Sequence, residues 1–106
     1  MFGFFNKSNF DSINVNDLGN KLGKITIIDV REPSEYKRGH IPTATNIPMG
    51  TILENTEKHL DKAKEYHIVC QSGKRSERVC SDLTSKGYKV INVFGGTGSY
   101  VSSLER

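Results

Sequence analysis

Three short apolar runs stand out in the pattern of hydrophobic and polar positions along the chain. They are KITIIDV at residues 24–30, EYHIVC at 65–70 and YKVINVF at 88–94. Each run contains β-branched residues, and two hold adjacent apolar residues instead of a strict alternation. This is typical of strands buried on both faces of a parallel sheet. We therefore predict a strand at each run.

Helical patterns lie before and between these runs, at residues 15–23, 32–39 and 75–87. In the first and third, apolar residues recur on one face, and each pattern ends at a glycine. The second has a proline in its first turn and a glycine at its end, the usual asymmetry of a helix. The residues that define these patterns are Val15, Leu18, Leu22, Gly23, Pro33, Gly39, Val79, Leu83 and Gly87.

The connecting segments complete the prediction of the fold class. Residues 39–50, with two prolines and two glycines, are expected to form a loop with a very short strand at about 44–47. Residues 51–65 are polar with scattered apolar positions and are expected to form one or two short helices. Strands that alternate with helices predict an α/β domain with a mostly parallel sheet.

The length and composition of the chain indicate a small globular protein. Its 106 residues are enough for one domain with one core, predicted over residues 1–106 with the core at about 11–104. We find neither a signal-peptide pattern nor an apolar run long enough for a transmembrane helix. The two cysteines do not make a disulfide framework, so we predict a cytoplasmic protein with free thiols. The role of the N-terminal MFGFF segment stays open.

The formal net charge of +3 is unevenly distributed. Residues 70–106 carry six Lys or Arg and three Asp or Glu, whereas residues 1–69 carry nine of each. A small anion fits this pattern better than nucleic acid, which usually binds a denser basic stripe with aromatic platforms. A solvated basic surface is the simpler explanation of the charge alone. His40, His59 and His67 show no metal-ligand spacing with the cysteines, so no metal is expected.

Two candidate sites follow predicted strands, at residues 29–32 and 70–75, because ligands bind beyond the carboxyl ends of strands in an open parallel sheet. Cys70 ends one strand, and a helix is predicted to begin near Arg75. A loop between them, with two basic residues, would direct N–H groups inward at a helix N-terminus, where they stabilise an anion such as a thiolate. The residues of this predicted anion-binding loop are Gln71, Ser72, Gly73, Lys74 and Arg75.

The two cysteines allow different interpretations. Cys70 is either a nucleophile activated by this loop or a small buried residue that packs at the end of an apolar strand. Cys80 lies on or near the apolar face of the predicted helix, with no glycine loop before it. We therefore interpret Cys80 as a core residue, with a redox partnership with Cys70 as the alternative.

The motifs IIDVREPSEYKRGHIPTATNIP, VCQSGKRS and VFGGTGSY closely resemble, in this order, those of a single-domain rhodanese, and the resemblance covers about residues 13–100. It implies a three-layer rhodanese-like α/β fold with helices on both sides of the sheet. It also implies sulfur transfer through a persulfide on Cys70, the cysteine of the motif Cys-x-x-Gly-x-Arg-Ser. The backbone amides of residues 71–75 would stabilise the sulfur, and Arg75, with Lys74, would orient an anionic donor.

By the same resemblance, the donor is thiosulfate or a persulfide, the acceptor is cyanide or a thiol, and a sulfur-relay protein is a further candidate partner. Neither a metal, an organic cofactor, nucleic acid nor a membrane is expected.

Asp29, Arg31 and Ser76 would support the site. An Asp29–Arg31 pair would brace the loop through hydrogen bonds to its carbonyls, and the alternative is a surface ion pair of little energetic weight. Gly95 and Gly96 of the last motif are expected to serve backbone geometry.

Two other functions compete with this interpretation. Phosphatases and arsenate reductases of the same fold have five residues between Cys and Arg, whereas four separate Cys70 from Arg75, so the resemblance favours sulfur over phosphate. The second alternative is a non-turnover persulfide carrier or binding module. The chain also departs from the family, with Thr43 where glycine is frequent and Tyr100 where tryptophan is frequent. These departures concern a local turn and the packing of the rim.

Overall fold

The computed structural model describes residues 9–106, which contain a five-stranded sheet whose neighbouring strands are all parallel. The strands are β1 (Asp11–Asn14), β2 (Ile27–Asp29), β3 (Thr45–Asn46), β4 (Glu65–Val69) and β5 (Lys89–Phe94). The helices are α1 (Pro33–Arg38), α2 (Met49–Glu54), α3 (Thr56–His59) and α4 (Lys74–Ser85), with 3₁₀ turns at Val15–Asp17, Gly19–Lys21 and Thr97–Ser99. The strand order β1-β5-β4-β2-β3 places β4 at the centre.

Both faces of the sheet are covered, which confirms the predicted three-layer α/β fold. On one face, Ile68 of β4 belongs to the same apolar cluster as Val79 and Leu83 of α4. On the other face, Val69 belongs to a second cluster with Ile41, which follows α1. All five side chains are fully buried. Consecutive residues of β4 therefore face opposite layers, as in a parallel strand buried on both sides.

Most of the predicted elements are confirmed. The three apolar runs contain β2, β4 and β5, and the helical patterns at residues 32–39 and 75–87 correspond to α1 and α4, the latter beginning one residue earlier than predicted. The short strand expected at about 44–47 is β3, and the short helices expected at 51–65 correspond to α2 and α3. The apolar pattern does not predict β1, because its sequence DSIN holds a single apolar residue.

The helix predicted over residues 15–23 is wrong. Two 3₁₀ turns occupy this segment, and they meet at Leu18 and Gly19. Gly19 has a φ of 31°, which interrupts the right-handed helical backbone. Val15 and Leu18 are nevertheless fully buried, so the predicted apolar face is real but belongs to a pair of turns.

The MFGFF segment lies outside the described residues, so its role stays open and the expectation about a signal peptide stays a prediction. Within residues 9–106 the longest helix is α4, with 12 residues. None of the helices in this range combines the length and apolarity that a membrane crossing requires.

Thr43 forms a left-handed turn. It stands at the position where the family that the sequence resembles frequently has glycine. Its φ is 74°, and it is the one non-glycine residue with a positive φ in residues 9–106. The left-handed conformation costs an L-residue about 1–2 kcal/mol. Glycine removes this strain but adds conformational entropy to the unfolded chain, which offsets part of the gain. We expect Thr43→Gly to stabilise the fold by about 0.5–1 kcal/mol, raising the Tm by a few degrees.

Thermal melts of Thr43→Gly and Thr45→Gly test this prediction. Thr45 is also exposed but lies in β3, where glycine has no strain to relieve and only its entropic cost remains. Thr45→Gly should therefore lower the Tm of the protein. Equal Tm values for the two variants would show that the turn at Thr43 is not strained.

Candidate active site

The candidate site lies where the central strand β4 passes into helix α4. Cys70 directly follows Val69, the last residue of β4, and α4 begins only four positions later, at Lys74. Gly73 makes this tight connection with a φ of 110°, a left-handed conformation that glycine adopts without strain. The connection brings the N-terminal turn of α4 against the cysteine. The strand, the loop and the start of the helix lie as predicted, but of the predicted loop amides only that of Gly73 donates to the sulfur, and the second donor is the N–H of Ser76.

The sulfur of Cys70 sits among hydrogen-bond donors. Its Sγ accepts from the backbone N–H of Gly73 at 3.1 Å and from that of Ser76 at 3.3 Å. The thiol also contacts Ser76 Oγ at 3.4 Å, and this hydroxyl donates to the Gly73 carbonyl at 3.0 Å. Because both N–H groups belong to a helix N-terminus, they favour a negative charge on the sulfur. Cys70 has no exposed surface.

The segment after β5 holds the main chain of the cysteine loop in place. The N–H of Thr97 donates to the carbonyl of Cys70 at 2.8 Å, and the N–H of Gly98 donates to the carbonyl of Gln71 at 2.9 Å. Gly96 lies so close to these carbonyls that a side chain has no room there. The sequence indicates a backbone role for Gly96, but Thr97 and Gly98 are found only in the structure. The GGTG sequence directly after an apolar run is the signal that points to them.

Asp29 and Arg31 form a buried ion pair beside the loop, with 0% and 3% of their surfaces exposed. Arg31 Nη2 lies 2.8 Å from Asp29 Oδ2, and Nε contacts both carboxylate oxygens. The same guanidinium donates from Nη2 to the Gly39 carbonyl at 2.7 Å and from Nη1 to Gln71 Oε1 at 3.1 Å. The expected bonds from Arg31 to the loop carbonyls are therefore wrong, because the Cys70 and Gln71 carbonyls accept from the segment after β5 and the Gly73 carbonyl accepts from α4. Arg31 contacts the loop through the Gln71 side chain.

Arg75 is paired with a carboxylate that the sequence does not indicate. Its Nη1 and Nη2 lie 2.8 and 3.0 Å from the two oxygens of Glu35, which belongs to α1. This hydrogen-bonded guanidinium lowers the pKa of Glu35 to about 2, and Glu35 in turn raises the pKa of Arg75. The remaining predicted loop residues with side chains, Gln71, Ser72 and Lys74, are exposed.

An open cavity of about 490 Å³ adjoins the loop. Thr97 is one of its lining residues, and the buried hydroxyl of Thr97 has no hydrogen-bond partner among residues 9–106. The cavity extends from the Gln71 side chain to the half-buried ring of Tyr100. The residues that line it are Arg31, Glu35, Arg38, Gly39, Gln71, Thr97, Gly98, Tyr100 and Leu104.

Cys80 belongs to the core, as predicted. It is fully buried in the apolar cluster beneath α4, and this burial raises the pKa of its thiol to about 12. A thiol with that pKa is a poor nucleophile near neutral pH. Within residues 9–106, no three His, Cys, Asp or Glu side chains are grouped as metal ligands.

Sequence comparisons connect this geometry with sulfur chemistry. The family profile of the Rhodanese-like domain matches residues 14–103. YtwF of Bacillus subtilis, named as a candidate sulfurtransferase, is 49% identical over 73 residues, which cover 69% of this chain and 70% of YtwF. The thiosulfate:glutathione sulfurtransferase of Saccharomyces cerevisiae is 32% identical over 108 residues, covering 87% of this chain and 78% of the yeast protein. YrkF of Bacillus subtilis, named as a candidate sulfur carrier, is 38% identical over 82 residues, and the match spans 44% of its length.

Solved structures show the same architecture. A Staphylococcus saprophyticus protein superposes with a TM-score of 0.81 at 34% identity, covering 92% of this chain and 100% of that one. A rhodanese-like domain protein from Staphylococcus aureus gives a TM-score of 0.79 at 38% identity, covering 91% and 97% of the two chains.

Proposed function

Since the chain belongs to the rhodanese-like family of sulfurtransferases, we propose that it transfers sulfane sulfur from a thiosulfate-type donor to a thiophilic acceptor through a persulfide on Cys70. The observation that carries the proposal is the pair of N–H groups, from Gly73 and Ser76, that point at the Cys70 sulfur. They stabilise the thiolate before the reaction and the negative charge of the persulfide after it.

The reaction takes place in two displacements. The thiolate of Cys70 attacks the outer sulfur of thiosulfate, an S–S bond forms, and the bond to the sulfonate sulfur breaks as sulfite leaves with the electron pair. An acceptor such as cyanide or a thiolate then attacks the outer sulfur of the persulfide. Thiocyanate or a new persulfide leaves, and the Cys70 thiolate is regenerated. Electrons and atoms balance without a cofactor.

The loop residues have separate roles in this scheme. The Cys70 sulfur itself has no exposed surface, so the donor reaches it past the exposed residues of the loop, Gln71 and Ser72. Lys74 attracts anions from solvent, and Arg75 orients the donor. The buried Asp29–Arg31 pair positions Gln71, and Ser76 supports the sulfur.

The adjoining cavity supports donors or acceptors larger than thiosulfate, such as an organic persulfide or thiol, or the sulfur-carrying segment of a relay protein. Its volume of about 490 Å³ is in the range of small-molecule sites. A reducing location such as the cytoplasm suits this chemistry, because Cys70 must be a free thiol at the start of each cycle.

Mass spectrometry of the protein after incubation with thiosulfate tests the proposal. We expect the intact mass to increase by one sulfur atom, and peptide mapping should place this sulfur on Cys70. Treatment with cyanide should remove it and yield one equivalent of thiocyanate. Sulfur on Cys80 alone, or no added sulfur, would contradict the mechanism.

Arg75→Ala is expected to lower kcat/KM for thiosulfate by about 10–100-fold, because it removes a guanidinium that binds oxyanions and leaves the Glu35 carboxylate to repel them. The free energy of unfolding should change by less than about 1 kcal/mol, since the ion pair is partly exposed. Steady-state kinetics and thermal melts on the same sample measure both effects.

Arg78→Ala is the matched control, because Arg78 is exposed and lies one turn further along α4. It removes the same charge from the same helix and should change kcat/KM by less than about twofold. Equal kinetics in Arg75→Ala and the wild type would exclude a role of Arg75 in donor binding.

A non-turnover sulfur carrier is the second candidate function, favoured by the complete burial of Cys70. Such a carrier loads one sulfur per chain but releases it only to a partner protein. Stoichiometric loading without multiple turnovers in the presence of cyanide would distinguish it from an enzyme.

A further inference from the structure

The arginines next to the cysteine loop are both neutralised by carboxylates. Arg31 is paired with Asp29, and Arg75 is held by both oxygens of Glu35. Among residues 9–106, the cations near the loop without an ion-pair partner are Lys74 and Arg38, and both side chains are exposed. Exposed charges attract anions from a distance but hold them weakly. Within these residues the guanidinium of Arg38 is free but exposed in the lining of the cavity, whereas neither Arg31 nor Arg75, the two arginines next to the loop, is free to bind an oxyanion in the resting site.

Hydrogen bonds fix the Glu35 carboxylate in the position where it pairs with the Arg75 guanidinium. It is the third residue of α1, and its Oε1 accepts the backbone N–H of Glu32 at 2.9 Å while also contacting Arg75 Nη1 at 2.8 Å. The carboxylate is 24% exposed and borders the cavity beside the loop. Hydrogen bonds from two separate residues thus hold the carboxylate beside the cavity, and it occupies Arg75 in the bidentate geometry that a sulfonate or sulfate group would need.

We propose that Glu35 is a specificity-determining residue that competes with the sulfonate group of thiosulfate for Arg75, and so directs the protein towards persulfide and polysulfide donors, which have no oxyanion. This inference rests on the proposed function. The attack of Cys70 on sulfane sulfur is the same for both donor classes, and only the leaving group differs. Thiosulfate releases sulfite, whose oxygens need the guanidinium, whereas a persulfide or polysulfide releases a sulfur anion that does not.

The experiment compares two donors, thiosulfate and inorganic tetrasulfide, with the wild type and Glu35→Gln. Glutamine retains an oxygen that accepts the Glu32 N–H, so the start of α1 is preserved, but it is neutral and yields Arg75 more easily. We expect kcat/KM for thiosulfate to rise about tenfold in Glu35→Gln. The rate at which tetrasulfide loads Cys70 should change by less than about twofold.

Two further variants make the result specific. Glu57→Gln removes the same charge from an exposed residue of α3 and should leave both rates unchanged within about twofold. The double variant with Glu35→Gln and Arg75→Ala should lose the gain with thiosulfate, because the guanidinium that was released is no longer present.

The outcomes separate this inference from the function on which it rests. An unchanged or lower kcat/KM for thiosulfate in Glu35→Gln, or an equal rise with both donors, would overturn the role of Glu35 while leaving the Cys70 persulfide in place. If neither donor loads sulfur onto Cys70 in the wild type, the proposed function itself is wrong, and the inference with it.

Discussion

Cys70→Ser is expected to lower sulfur transfer by at least about a thousandfold, because the reaction needs a sulfur nucleophile. A serine hydroxyl is almost entirely protonated near neutral pH, and its oxygen does not form the S–S bond that carries the transferred sulfur. The N–H groups of Gly73 and Ser76 that point at Cys70 Sγ are aimed at a charge that the hydroxyl does not carry. Persulfide loading and multiple turnover should therefore both disappear.

The fold should survive this substitution. The new hydroxyl can accept hydrogen bonds from the same two N–H groups, so Cys70→Ser leaves no buried polar group without a partner. We expect the free energy of unfolding to change by no more than about 1 kcal/mol. Chemical denaturation separates this result from a loss of activity by unfolding.

Cys80→Ser is the matched control and should show the reverse behaviour. Cys80 is fully buried in an apolar cluster, where a hydroxyl costs about 1–2 kcal/mol of stability. Sulfur transfer should stay within about twofold of the wild type. An active Cys70→Ser variant, or an inactive but folded Cys80→Ser variant, would show that the proposed mechanism places the chemistry on the wrong cysteine.

The cysteine loop could be predicted from the sequence because its parts are consecutive. Cys70, Gly73 and Ser76 lie within one strand-to-helix connection, and local chemistry is enough to bring their N–H groups to the sulfur. The wrong helix at residues 15–23 shows the limit of local patterns. Its apolar spacing fits a helix, but one glycine with a positive φ divides the segment into two turns.

The partners of the loop could not be predicted, because they depend on the strand order. β4 lies between β2 and β5, so Arg31, which follows β2, and Thr97, which follows β5, flank the same cysteine from opposite sides. Glu35 is 40 residues away from Arg75 in sequence. A charge pattern along the chain shows that Arg75 is basic, but only the arrangement of α1 and α4 shows that its charge is neutralised.

Gly96→Ala is expected to have the second largest effect on activity and stability, because Gly96 lies where the segment after β5 contacts the cysteine loop. Its φ of 63° and ψ of −169° lie in a region that is essentially restricted to glycine. A Cβ atom there would lie 2.5 Å from the carbonyl oxygens of both Cys70 and Gln71. These oxygens accept the hydrogen bonds from Thr97 and Gly98, so the clash falls on the contacts that position the loop.

Relief of this clash requires the two segments to move apart, and the main-chain bonds between them would be weakened. We expect Gly96→Ala to lower the free energy of unfolding by about 3 kcal/mol, from backbone strain and overpacking together. A displacement of the cysteine by even about 1 Å should also lower kcat/KM by roughly a hundredfold in the protein that remains folded. Chemical denaturation and kinetics well below the unfolding transition measure the two effects separately.

Gly50→Ala adds the same methyl group at a position where we expect no loss of stability or activity. Gly50 is exposed in α2, and a Cβ there would meet no heavy atom within 4 Å. Alanine should leave activity unchanged and raise stability by up to about 1 kcal/mol through its helix propensity. If Gly96→Ala is as stable and active as Gly50→Ala, the segment after β5 does not position the cysteine loop. A stable but inactive Gly96→Ala variant would instead show that the two segments separate without unfolding, and that the close contact serves the geometry of Cys70 alone.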